Sequence, residues 1–137
     1  MSQENVETIA RLYDEFLARP DRLSSPELFG FFDPAVEIHQ SESLLGTQGA
    51  FHGYEGLGRA AREMFEAFSE GHFVPKRLVD AGDQVLATVE FRAIGKESGA
   101  RIAQAVAHVW TLKDGRIIAW HVYLDPADAL GAVGPRE

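Results

Sequence analysis

The 137-residue chain predicts an α+β fold in which a curved antiparallel sheet wraps around N-terminal helices and one long helix. Three observations carry this. Apolar residues near the start recur at helical spacing. A second stripe of the same period follows a single strand in mid-chain. Four β-patterned runs joined by short connections then fill most of the remainder, and strands joined in that way form an antiparallel meander.

Val6, Ile9, Leu12, Tyr13, Phe16 and Leu17 form the first stripe, on a helix of about four turns. Glu4 and Glu7 lie in its first turns, where the helix dipole favours acids, and Pro20 limits its length. "SSPELFGFF" reads as a short second helix, with Ser25 as N-cap and Pro26 at the first helical position. "DP" then signals a turn into the strand "AVEIHQ". After a polar, Gly-rich segment comes the long helix, with Leu57, Ala60, Ala61, Met64, Phe65 and Phe68 on one face and four-residue charge pairs such as Glu55–Arg59 on the other. "HFVPKRLVDAG" reads as an edge or bulged strand, because Pro75 cannot donate to a ladder. "QVLATVEFRAI", "ARIAQAVAHVWTL" and "RIIAWHVYLD" complete the sheet, with "DAGDQ" and "KDGR" as hairpin turns. "DPADAL" closes the chain as one helical turn, and "GAVGPRE" reads as a tail. One domain is expected over 1–137, with its core at about 4–131.

Composition narrows the function classes. Apolar residues are 45% and charged residues 25%, which is globular composition rather than disorder. A net charge of −8, from 21 acids against 13 bases, argues against nucleic acid or an anionic membrane as partner, since both need a clustered basic surface. The lack of cysteine removes disulfides, thiolate chemistry and Cys-ligated zinc. No HExxH or close His pair occurs, so neither a metal nor another cofactor is expected. No segment has the length and apolarity of a signal peptide or a membrane span, so a cytoplasmic protein is expected.

The order of elements, with "ENVETIARLYDEFLAR", "FFDPAVEIH", "FHGYEGLGRAAREMFEAF" and "AHVWTLKDGRIIAWHVYLDPADAL", resembles the SnoaL-like branch of the nuclear transport factor 2-like superfamily. The resemblance spans roughly residues 4–131 and consists of elements and dipeptides rather than a catalytic signature. It implies a cone, in which the concave sheet face and its covering helices enclose one apolar cavity. It also implies a homodimer packed through the outer sheet face. Members include ketosteroid isomerases, polyketide cyclases, epoxide hydrolases and dehydratases.

Strand alternation sorts the candidates for that cavity. Gln104, Val106, His108, Trp110 and Leu112 share one face, as do Ile118, Trp120, Val122 and Leu124. The resemblance puts both sets on the concave side. It places Tyr13 near a tyrosine that donates to a substrate oxygen and His108 near an acid that donates a second hydrogen bond. Ile38 or His39 falls near the carboxylate base of the isomerases, and Val122 falls where the epoxide hydrolases carry a water-positioning acid. Steroid isomerisation and epoxide hydrolysis are therefore not expected. An imidazole site remains: His108 and His39 for acid–base work, with Tyr13 as donor. Trp110, Trp120, Val122, Phe16, Phe51, Met64, Phe65 and Phe68 are the expected lining for a small apolar ligand. The ordinary role of such a stripe is core packing. His72 and His121 are expected at the surface or dimer side.

Two classes of function stay open. One is a cofactor-independent isomerase, cyclase or dehydratase. The other is a non-catalytic binding or dimerisation module of the same fold. The segment "EIHQSESLLGTQGAFHGYEG" is expected at the cavity mouth, with Leu44, Leu45 and Phe51 over the opening and His39 facing in.

Overall fold

Six strands and three α-helices build the domain in the computed structural model, which describes residues 2–19, 21–22, 25–40 and 49–133. The first apolar stripe forms α1 (Ser2–Leu12), which widens into a π-helical turn over Tyr13–Leu17. The Ala18 N–H donates to the Tyr13 carbonyl at 2.9 Å, five residues back. This turn buries Tyr13, Phe16 and Leu17 together. The 3-10 helix Pro26–Phe31 follows, and its Ser25 cap accepts from the Glu27 N–H at 3.4 Å.

β1 (Phe32–Gln40) comes next. Asp33 and Pro34, expected as a turn before the strand, lie inside it and coincide with a shift of register between Phe32 and Glu37. The segment 37–56, expected at the cavity mouth, is not a single loop. Residues 41–48, which include Leu44 and Leu45, lie outside the described residues. The segment's end is a sixth strand, β2 (Gly49–His52), antiparallel to β1. α2 (Gly53–Ala67) then leads directly into β3 (Phe68–Ala81), so Phe68 begins a strand rather than closing the helical stripe.

β3, β4 (Gln84–Gly95), β5 (Arg101–Lys113) and β6 (Arg116–Tyr123) form the expected antiparallel meander. The order is β2-β1-β6-β5-β4-β3, with β1 and β6 parallel, so the sheet is mixed. β3 is an edge strand, and its register shifts between Pro75 and Arg77, as proline in a strand demands. In the β5–β6 turn, Asp114 and Gly115 both have positive φ, 53° and 79°, the signature of a type I′ hairpin.

Alternation divides the sheet into two faces. Val85, Ala87, Val89 and Phe91 join Val106, Trp110 and Leu112 in the main core beneath α1 and α2. Leu86, Ala107 and Val109 lie on the outer face under Ala129 of α3 (Pro126–Val133), a helix longer than the single turn expected. One strand breaks the simple pattern. Trp110 faces Trp120, but Leu112 faces Ile117. A bulge in β6 therefore places Ile117 in the core, where Ile118 was expected.

Candidate ligand cavity and its buried hydrogen-bond chain

The concave face and α2 leave an open-mouthed cavity, a concave apolar shape of the kind that takes small organic ligands. About 90 Å³ of it admits the centre of a water-sized guest, so the space is narrow. Ile38 and Gln40 of β1 form one wall. Leu57, Ala60, Ala61 and Met64 of α2 form the roof. Phe68, Phe73 and Phe91 close one side, and Trp120, Val122 and Leu124 the other, with Leu17 and Leu28 from the N-terminal helices. Among these residues, Gln40 carries the one strongly polar side chain.

Four of the expected lining residues border this space: Trp120, Val122, Met64 and Phe68. Four do not. Phe16 packs edge-on against Phe31 and lies under the Arg22 guanidinium. Phe51, on β2, packs against the core and lies under Arg59. Phe65 packs against the core without reaching the lining. Trp110 is fully buried behind Trp120, stacked on it at 4.6 Å. Gln40 was missed, although the buried Val36 and Ile38 fix the inward face of β1 and Gln40 continues it.

The same alternation settles Ile38 against His39. Ile38 faces the cavity. His39 is on the opposite face, where its Nε2 meets Glu37 Oε1 at 3.0 Å and its ring stacks on His121 at 4.5 Å. The expectation that His39 joins Tyr13 and His108 is therefore not met. The His39 hydrogen bond, followed by its charge, holds the Glu37 carboxyl below the usual carboxylate range. Burial, then His39, lowers the pKa of His121.

Tyr13 and His108 do come together, though behind the lining rather than in it. Both are fully buried. The Trp110 Nε1–H donates to Tyr13 Oη at 3.1 Å, and Tyr13 Oη lies 2.6 Å from His108 Nδ1. The proton positions follow by elimination. If His108 donated from Nδ1, the tyrosine hydroxyl proton and the His108 Nε2 lone pair would both lack a partner among the described residues. If Tyr13 donates to Nδ1, only the His108 Nε2–H is left over. The second arrangement satisfies more buried groups and is the one assigned. Burial raises the Tyr13 pKa well above 10, partly offset by the Trp110 bond, so the hydroxyl keeps its proton. Burial lowers the His108 pKa to about 3. His108 is thus a neutral ring with Nδ1 occupied and an Nε2–H to donate. It is poorly placed to act as a base.

Two buried donors beside the cavity have no hydrogen-bond partner among the described residues: His108 Nε2 and Trp120 Nε1. Their rings meet nearly at right angles, with centroids 5.3 Å apart. Phe73 meets His108 on another side at 4.9 Å. Among the described residues, no group of three or more His, Cys, Asp or Glu is placed to hold a metal ion.

A curved sheet closed by helices over one apolar cavity defines a cone of the nuclear transport factor 2-like type. The SnoaL-like domain model matches residues 9–120, and the chain belongs to that family. Solved structures share the fold at low identity. An NTF2-like protein of unknown function from Burkholderia pseudomallei is 19% identical, with a TM-score of 0.76 over 96% of this chain and 98% of that one. TerC, co-crystallised with polyporic acid, is 19% identical with a TM-score of 0.75 over 95% and 98%. A hypothetical protein from Catenulispora acidiphila with a ketosteroid isomerase-like fold, in complex with trimethylamine, is 14% identical with a TM-score of 0.63 over 70% and 71%. No curated protein sequence matches the chain.

Proposed function

We propose that this protein binds an apolar, ring-containing small molecule in the cone cavity. One observation carries the reading: an open-mouthed space bordered almost wholly by carbon, between α2 and the concave face. A filled core would have left no such space for a guest. Neighbours of the same fold were crystallised with small organic molecules, polyporic acid and trimethylamine, which supports a small organic guest in general.

Calorimetric titration with indane, a small bicyclic hydrocarbon, tests the reading. Wild type binds it saturably at one site. Ala61→Phe, which fills the cavity from the roof, abolishes the heat while unfolding stays cooperative. Equal binding by the two proteins would place the site elsewhere.

A catalytic reading also has a specific observation behind it. The Trp110–Tyr13–His108 chain orients an N–H in a low-dielectric interior, and such a donor stabilises a developing oxyanion. This would suit isomerase, cyclase or dehydratase chemistry of the cofactor-independent kind. The described lining supplies no general base, however, because Ile38 and Gln40 occupy the inward face of β1. Binding is therefore the leading reading.

A further inference from the structure

Trp120 carries two features that the apolar reading leaves unused. It borders the cavity, yet its indole Nε1–H is buried without a hydrogen-bond partner among the described residues. Aromatic and imidazole groups surround it: Trp110 stacked at 4.6 Å, Phe32 at 6.2 Å and His108 at 5.3 Å. None of these offers an acceptor. The Trp110 N–H is committed to Tyr13, and the His108 Nδ1 lone pair is occupied. Leaving a buried N–H unmatched costs about 1–3 kcal/mol, and folded proteins rarely leave two such donors side by side.

We infer that the Trp120 Nε1–H is a specificity-determining donor to the cavity's guest. It selects an apolar ring compound bearing an acceptor-only oxygen, a carbonyl or a phenolate. His108 is the next donor inward, reached past Trp120 and Phe73, the two lining rings that touch it. Both groups can donate and neither can accept, so a guest presenting its own N–H or O–H to this corner finds no partner. A site built around buried donors discriminates against a guest that leaves them unmatched more sharply than an apolar pocket discriminates by size. The inference rests on the cavity being the binding site.

The test compares 1-indanone with indane, two bicyclic compounds that differ at one carbonyl oxygen. Trp120→Phe keeps most of the ring and removes the N–H. It is expected to weaken indanone binding about three- to tenfold and to change indane binding by less than about twofold. A second measurement needs no variant with altered packing. In wild type carrying ¹⁵N-labelled tryptophan, saturating indanone moves the Trp120 indole N–H resonance downfield, and saturating indane does not. If Trp120→Phe weakens both probes equally, or the indole resonance responds alike to both, the donor role is overturned while the cavity reading stands. If neither probe binds wild type, both readings fall.

Discussion

Replacing His108 by asparagine isolates the energetic consequence of burying a neutral imidazole. The asparagine carboxamide keeps an acceptor for Tyr13 but cannot titrate. Burial lowers the folded-state pKa of His108 to about 3, from an unfolded value of 6.5. Above pH 6.5 neither state holds the proton, and the histidine's contribution to stability is fully present. Between pH 6.5 and 3 the unfolded chain takes up a proton that the folded chain refuses, so stability falls as the pH falls. Each pH unit in that window is worth about 1.4 kcal/mol. Between pH 8 and pH 5 wild type should therefore lose about 2 kcal/mol that His108→Asn does not. Urea unfolding of both proteins at the two pH values measures this. The carboxylates and the other histidines are common to both chains and cancel in the difference. Parallel loss by wild type and variant would mean that His108 titrates normally when folded, and the neutral ring inferred from its burial would fail.

Tyr13→Phe removes the hydroxyl that serves both Trp110 and His108. Two buried groups lose their partner at once, so a loss of about 2–4 kcal/mol is expected from denaturant midpoints; a loss below about 1 kcal/mol would show that the chain is not a buried network. The glycines of α2 give a paired test. A Cβ at Gly56 would sit 2.9 Å from the Phe51 backbone carbon and from its Cβ, whereas at Gly58 the nearest atom is an Arg62 terminal nitrogen at 3.8 Å. Gly56→Ala should lower the melting temperature, because overpacking of about 1–3 kcal/mol exceeds the roughly 1 kcal/mol that alanine gains in a helix, and Gly58→Ala should raise it. The opposite order would refute the close approach of α2 to β2.

What the sequence made legible was whatever depends on period and local turn chemistry. The α1 and α2 stripes, the Ser25 cap, the bulged edge strand at Pro75 and the KDGR hairpin all appear in the structure. The inward face of β5 was also readable, because a strand buried on one face cannot slip by one residue without exposing its core side. The misses have physical causes. β2 has four residues, too few for alternation to register. The β1–β6 pairing joins strands from opposite ends of the chain, and no local pattern reports it. The β6 bulge exchanges Ile117 for Ile118, and period two cannot foresee an inserted residue. His39 was misplaced because a resemblance at a strand end outweighed the register that Val36 and Ile38 set. The hydrogen-bond chain joins Tyr13 to residues 95 and 97 positions away; the types were suspected, but their mutual satisfaction is a property of packing.

That mutual satisfaction bears directly on function. Had Tyr13 and His108 both pointed free donors into the cavity, two groups would have stood ready for one substrate oxygen. Instead, Tyr13 spends its proton on His108 and its oxygen on Trp110. The chain then has a direction: each donor is held by the next acceptor, and the unmatched end is an N–H. A relay of this polarity can orient a donor, but it cannot take a proton from a substrate without reversing the His108 tautomer and stranding the Tyr13 hydroxyl. Of the two residues that the resemblance puts near the isomerases' base, Ile38 is apolar and faces the cavity, while His39 is held by Glu37 and His121 outside. Both placements reduce proton-moving capacity and leave the buried donors in place, which is why we propose binding rather than turnover.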